Sequence, residues 1–129
     1  MRQRINLVES IKHVKNTAIT SFVLNNAGKV KTTWSSARDI PFVMGTASYV
    51  EDPEQGPAGK VWKVSITGLV KSQVKEFELG VLLVQLESGE TIVIGSQDHP
   101  VRIFLAESLQ QKRFEIKHSS PYKPPVLAL

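Results

Sequence analysis

The chain has no cysteine among its 129 residues. Disulfides, thiol nucleophiles and cysteine-held metals are thereby excluded, and the fold has to rest on its apolar core. Histidine is scarce: His13, His99 and His118 are not spaced to share a metal, and no His-Glu-x-x-His pattern occurs. Their surroundings predict solvated turn and strand-end positions. There is no Gly-x-Ser-x-Gly elbow and no glycine-rich phosphate loop. The paired acids Glu51/Asp52 and Glu76/Glu78 have no evident apolar pocket to drive their pKa values apart. The expectation is a non-enzymatic protein with no catalytic residue, no cofactor, no metal site and no small-molecule substrate. No apolar run approaches the roughly 18 residues of a membrane-spanning helix. Glu9 and Lys12 interrupt any apolar stretch behind the basic start, so no secretory signal is expected.

What the chain does contain is an ordinary globular mixture, 41% apolar and 22% charged, enough for one domain with a real core. The net charge of +4 is unevenly placed: residues 1–38 carry seven Lys/Arg against Glu9, residues 39–100 carry four Lys against nine acids, and residues 101–129 carry five basic residues against two acids. Basic ends flank an acidic middle. A mixed solvated surface, a two-signed surface that docks onto copies of itself, and basic ends that touch phosphates all fit this distribution.

The strongest structural signal lies between Leu79 and Gly95. Leu79–Leu86 and Thr91–Ile94 are apolar, β-branched-rich arms around Ser88-Gly89, which predicts a hairpin built into a core. A second hairpin is expected from Thr17–Leu24, the turn cluster Asn25-Asn26-Ala27-Gly28, and Val30, Thr32 and Trp34 alternating with Lys29, Lys31 and Thr33. Phe42–Val50, Val61–Val70, Val101–Ala106 and Arg113–His118 read as further strands. Residues 5–16 read as a short strand or irregular segment followed by at most one helical turn. Glu51–Gly59, with two prolines, two glycines and three acids, reads as a loop without regular structure, either an exposed hairpin tip or a mobile functional loop. The prolines of residues 121–129 argue against a helix or a central strand there. The sum is a mainly β single domain over residues 1–120, a sandwich or barrel of about seven or eight short antiparallel strands with at most one or two helical turns. Residues 121–129 form a proline-rich arm.

Two functional classes follow. Leu79–Leu86 is apolar on both faces, as in the middle of a sandwich or under a subunit interface. Together with the arm it points to assembly, with Glu51, Asp52 and Glu54 of the loop and Tyr122, Val126, Leu127 and Leu129 of the arm as partner contacts. The alternative is a small nucleic-acid-binding barrel using Lys29, Lys31, Trp34, Lys63 and Arg102. Against it, Trp34 and Trp62 both fall on the apolar side of their alternations.

The segment Thr91–Arg102, a strand followed by Gly95, four residues, Pro100 and a further alternating strand, resembles small β-rich structural proteins of phages and prophages. So does the close of the chain, an alternating strand (Arg113–His118), then Ser119-Ser120, then the prolines from Pro121 to Pro125. The likeness spans about the last third of the chain. It implies a virion component of the tail or head–tail junction that self-associates or binds other structural proteins, located in the host cytoplasm during assembly or in the virion. No functional residue carries over from it.

Overall fold

The computed structural model describes residues 4–25, 28–57, 59–69, 79–96, 101, 103–107, 112–120 and 123–127. It is mainly β. In chain order the elements are β1 (Arg4–Lys15), a single 3-10 turn (Asn16–Ala18), β2 (Ile19–Leu24), β3 (Lys29–Trp34), β4 (Arg38–Asp39), β5 (Ser48–Gly56), β6 (Gly59–Leu69), β7 (Gly80–Leu86), β8 (Thr91–Ile94), β9 (Ile103–Glu107), β10 (Lys112–Ser120) and β11 (Val126–Leu127). The eleven strands exceed the expected seven or eight partly because β4 and β11 have only two residues each. The sheet is open and runs β2-β3-β11-β8-β7-β1-β5-β6-β10-β9, with β4 beside β1. The β11–β3 pair is parallel and the other strand pairs are antiparallel.

β1 holds the two halves together. Its first residues pair with β5, from Arg4↔Glu51 to Leu7↔Ser48, and its remainder pairs with β7, from Val8↔Leu86 to Lys15↔Gly80. The register shifts between Val8 and Ser10, where Glu9 is the extra residue of a bulge. Bulges bend a strand and sharpen its twist, which lets one strand serve two layers. β5, β6, β10 and β9 make one layer; β7, β8, β11, β3 and β2 make the other. Tyr49, Val64, Ile66, Phe114 and Ile116 of the first layer meet Leu82, Val84, Leu86, Ile92 and Ile94 of the second in one buried cluster, completed by Val8 and Ile11 of β1.

A second cluster lies on the far side of the second layer. It joins Val14, Ala18, Ile19, Val30, Val81, Leu83 and Val93, with Phe22, Trp34 and Leu127 packed against it. These residues come from β1, β2, β3, β7, β8, β11 and the 3-10 turn, so the second cluster is built without any strand of the first layer. This explains the two-sided apolarity of β7: Leu82, Val84 and Leu86 enter the first cluster, Val81 and Leu83 the second. The chain covers both faces of β7 itself, and the pattern needs no subunit interface.

Four local expectations are corrected. β1 is a twelve-residue strand rather than a short one, and His13 lies buried in it, directly across from Leu82, rather than solvated. The strand expected from Phe42 begins only at Ser48, because Thr46 donates through its amide and its hydroxyl to the Val43 carbonyl and closes a turn. Glu51–Gly59 is the end of a hairpin, one of the two expected readings, but it is regular rather than irregular: β5 and β6 stay paired from Ser48↔Thr67 to Gly56↔Gly59, leaving only positions 57 and 58 between the arms. Gly59 turns the corner at φ 119°, a conformation that excludes ordinary side chains. Pro53 is tolerated because, among the described residues, β5 beyond Glu51 has a ladder neighbour only in β6.

The fourth correction concerns the tail. Val126 and Leu127 form an interior strand, seated between β3 and β8. The prolines before it lack N–H groups, yet the Pro125 carbonyl accepts from Val93 N (2.9 Å), and Val126 N donates to the Gly28 carbonyl (3.1 Å). Val126 and Leu127 of the arm therefore belong to the sheet. Ending the chain after Pro125 would separate β3 from β8 and remove apolar cover from both clusters. We expect a loss of about 2–4 kcal/mol in urea unfolding, with faster amide exchange in β3 and β8. An unchanged unfolding midpoint would refute this role for β11.

Candidate interaction surface

From Asn16 to Gly28 the chain carries no charged residue and no proline. β2 lies inside this run and at the end of the sheet, and among the described residues its only ladder neighbour is β3. The hairpin is held locally. Thr33 Oγ1 shares hydrogen bonds with Thr20 Oγ1 (2.6 Å) and Ser21 Oγ (2.8 Å), and Thr32 Oγ1 donates to the Ser21 carbonyl (2.7 Å). Phe22 turns inward onto the second cluster. Val23 and Leu24 remain 61% and 56% exposed. An edge strand is normally protected by charge, proline or cover, since its free amides and carbonyls invite another strand. The short strand β4 is Arg38–Asp39, and β9 at the opposite end closes on Glu107. β2 has no such protection in its sequence.

The expected contact residues are dispersed. Glu51 is buried in β5 and is not a loop residue available to a partner. Asp52 and Glu54 are on the opposite face of that strand, and Glu54 is paired with Lys63 at 2.9 Å. Val126 and Leu127 are half-buried in the sheet; Tyr122, Leu129 and Arg102 lie outside the described residues. Lys29 and Lys31 are exposed on β3, whereas Trp34 packs on the second cluster with Val30 on the other face of the same strand. The expected basic-and-aromatic face around Trp34 is therefore not formed. The hydrogen bond and charge of Glu54 raise the pKa of Lys63, which is engaged on the surface.

A different aromatic has gathered lysines. Lys60 Nζ lies 4.6 Å and Lys123 Nζ 5.9 Å from the centroid of the Trp62 ring, within cation–π range. Lys60 shares the face of Trp62 by strand alternation, which the sequence allows one to see. Lys123 arrives from the segment after β10, which it does not. Lys63 and Lys117 each hold a carboxylate, Glu54 and Glu115. Among the described residues, Lys60 and Lys123 form no ion pair.

The one buried carboxylate among the described residues is Glu51, 3% exposed, which accepts from Tyr49 Oη at 2.7 Å. Arg4 stands directly across from Glu51 in the ladder. Its side chain binds Asn6 Oδ1 (2.8 Å) and Glu90 Oε1 (2.6 Å), tying β1 to the start of β8. Burial pushes the Tyr49 pKa up. The hydrogen bond and charge of Glu51 add to this, and the charge of Arg4 opposes it. Tyr49 is fully buried, so no solute reaches its hydroxyl without opening the core. The arrangement pins the layers together and keeps a carboxylate satisfied.

Among the described residues no three His, Asp or Glu side chains converge as a metal site, and no helix is long and apolar enough to cross a membrane. Comparison with known proteins finds no matching family model, no similar curated protein and no similar solved structure.

The Tyr49–Glu51 pair has a measurable signature. The folded state favours the neutral phenol, so its contribution to stability is complete below pH 10.0, the ordinary tyrosine value, and is lost as pH rises above it. Phenolate absorbance from Tyr49 should appear only on alkaline unfolding. Tyr49→Phe, which leaves Glu51 buried without this donor, should cost about 2 kcal/mol in urea. Ordinary titration of Tyr49 in the folded protein would contradict this assignment.

Proposed function

We propose that the protein is a non-enzymatic structural module that works by associating with copies of itself. The observation that carries this reading is β2, a charge-free and proline-free edge strand with Val23 and Leu24 open to solvent. A long-lived soluble domain that leaves such an edge open invites strand addition. A second apolar surface supports the same reading: Ile5 and Leu7 are exposed on β1, with Val50 directly across from Ile5. The full burial of Tyr49 beside Glu51 fits a scaffold better than a reaction centre. The resemblance of Thr91–Arg102 and Arg113–Pro125 to phage and prophage proteins supports the finer reading, a subunit of a virion tail or head–tail junction. Light scattering after size exclusion, across a concentration series, tests the general claim. A mass that climbs to a small multiple of the chain supports self-association; one chain mass at every concentration would sink it.

One observation favours a second reading. Lys60 and Lys123 meet on Trp62 with no carboxylate paired to either among the described residues, and stacking aromatics beside lysines are how sequence-tolerant modules hold single strands. If this surface binds single-stranded nucleic acid, affinity for a labelled oligonucleotide falls steeply with salt. Trp62→Ala would then weaken binding about tenfold or more, since one stacked base contributes about 1–3 kcal/mol. Equal binding by wild type and Trp62→Ala would rule the surface out.

A further inference from the structure

We infer that two copies pair through β2 about a two-fold axis, joining their sheets edge to edge in the register that sets Val23 opposite Val23 of the second copy. This rests on the self-association proposed above and names its surface and symmetry. Residues directly opposed in an antiparallel ladder point to the same side of the sheet. A two-fold axis normal to the sheet preserves that side, so opposed residues must share the parity of their numbers. Three centred registers meet this condition along the outer half of β2. Centring on Phe22 sets Val23 against Ser21 and Leu24 against Thr20, leaving both exposed apolar side chains facing hydroxyls. Centring on Leu24 sets Val23 against Asn25. Centring on Val23 sets Val23 on Val23 and Phe22 on Leu24, so every apolar side chain of the outer half meets an apolar partner.

The side chains agree with this choice. Phe22 packs on the second cluster, so Leu24 shares its side and Val23 takes the other. In the pair, Leu24 of each copy would lie beside Phe22 of its neighbour and extend the second cluster across the axis. Charge does not oppose it. The nearest lysine to Val23 in the ladder is Lys31, its partner in β3. Lys31 of the two copies would stand three strand spacings apart, about 14 Å, beyond the Debye length at physiological salt. The opposite edge, β9, ends in Glu107 and follows Arg102, and offers no comparable charge-free run.

The absence of cysteine supplies a direct test. Val23→Cys should form an intermolecular disulfide rapidly under mild oxidation, in a product of twice the chain mass. Met44→Cys, exposed in the turn between β4 and β5, should not do so at a comparable rate. Val23→Lys would set two lysines against each other on the axis and should raise the dissociation constant about 100-fold or more. Val23 is exposed, so the fold should persist, and an unchanged circular dichroism spectrum checks that it does. If Val23→Lys folds and assembles like wild type, or Val23→Cys fails to cross-link while assembly persists, the β2 pairing is wrong and self-association stands. A wild-type protein that is monomeric at all concentrations overturns both.

Discussion

β1 pairs with β5 from Arg4 to Leu7 and with β7 from Val8 onward, and the bulged Glu9 follows directly on the change of partner. A bulge bends and twists the strand, and Tyr49, Ile66 and Phe114 of one layer face the other. The bend brings them against Leu82, Val84 and Ile92 and creates the main core. The approach is close at the far end of the same ladder. A Cβ on Gly80 would collide with the Val14 carbonyl oxygen and stand 2.9 Å from Lys15 Cα, so only glycine admits the two backbones at that spacing. Bulge and glycine mark the two ends of the segment in which β1 belongs to the second layer.

The same crossing leaves β2 at the end of the sheet among the described residues. The chain leaves β1 through the 3-10 turn at Asn16–Ala18 and starts the β2–β3 hairpin at the opposite end of the sheet order. That hairpin reaches the rest of the sheet through β11, which lies between β3 and β8. β3 is thereby made interior, and β2 becomes the edge. Val126 and Leu127 thus hold in place the strand that carries β2, although β11 and β2 do not pair directly.

Much of the fold was legible before any coordinates. The hairpins at 17–34 and 79–94, the alternation of Val64 and Ile66, and the burial of Phe114 and Ile116 follow from hydrophobic period alone. Where local reading failed, tertiary pairing had overridden composition. Pro53 and three acids make residues 51–59 look like a loop, but β6 offers a ladder partner throughout, and Tyr49, Glu51 and Pro53 take the inward positions. The candidate surface was less visible. The run from Asn16 to Gly28 was plainly a hairpin, but whether its first strand is interior or an edge depends on which strand lies beside it.

The sequence alone determined an all-β chain without disulfides, the two main hairpins, and the lack of any familiar catalytic or metal-binding pattern, because these depend on residue identity and on short periodic spacing. The tertiary structure decided that the apolar strand β7 serves two cores of one chain, that Glu51 is a buried partner of Tyr49, and that Trp62 rather than Trp34 gathers lysines. It also decided that the last residues complete the sheet and that β2 is left at its edge. Each of these depends on contacts between segments far apart in the chain, and local pattern carries no record of which distant strand comes to lie alongside.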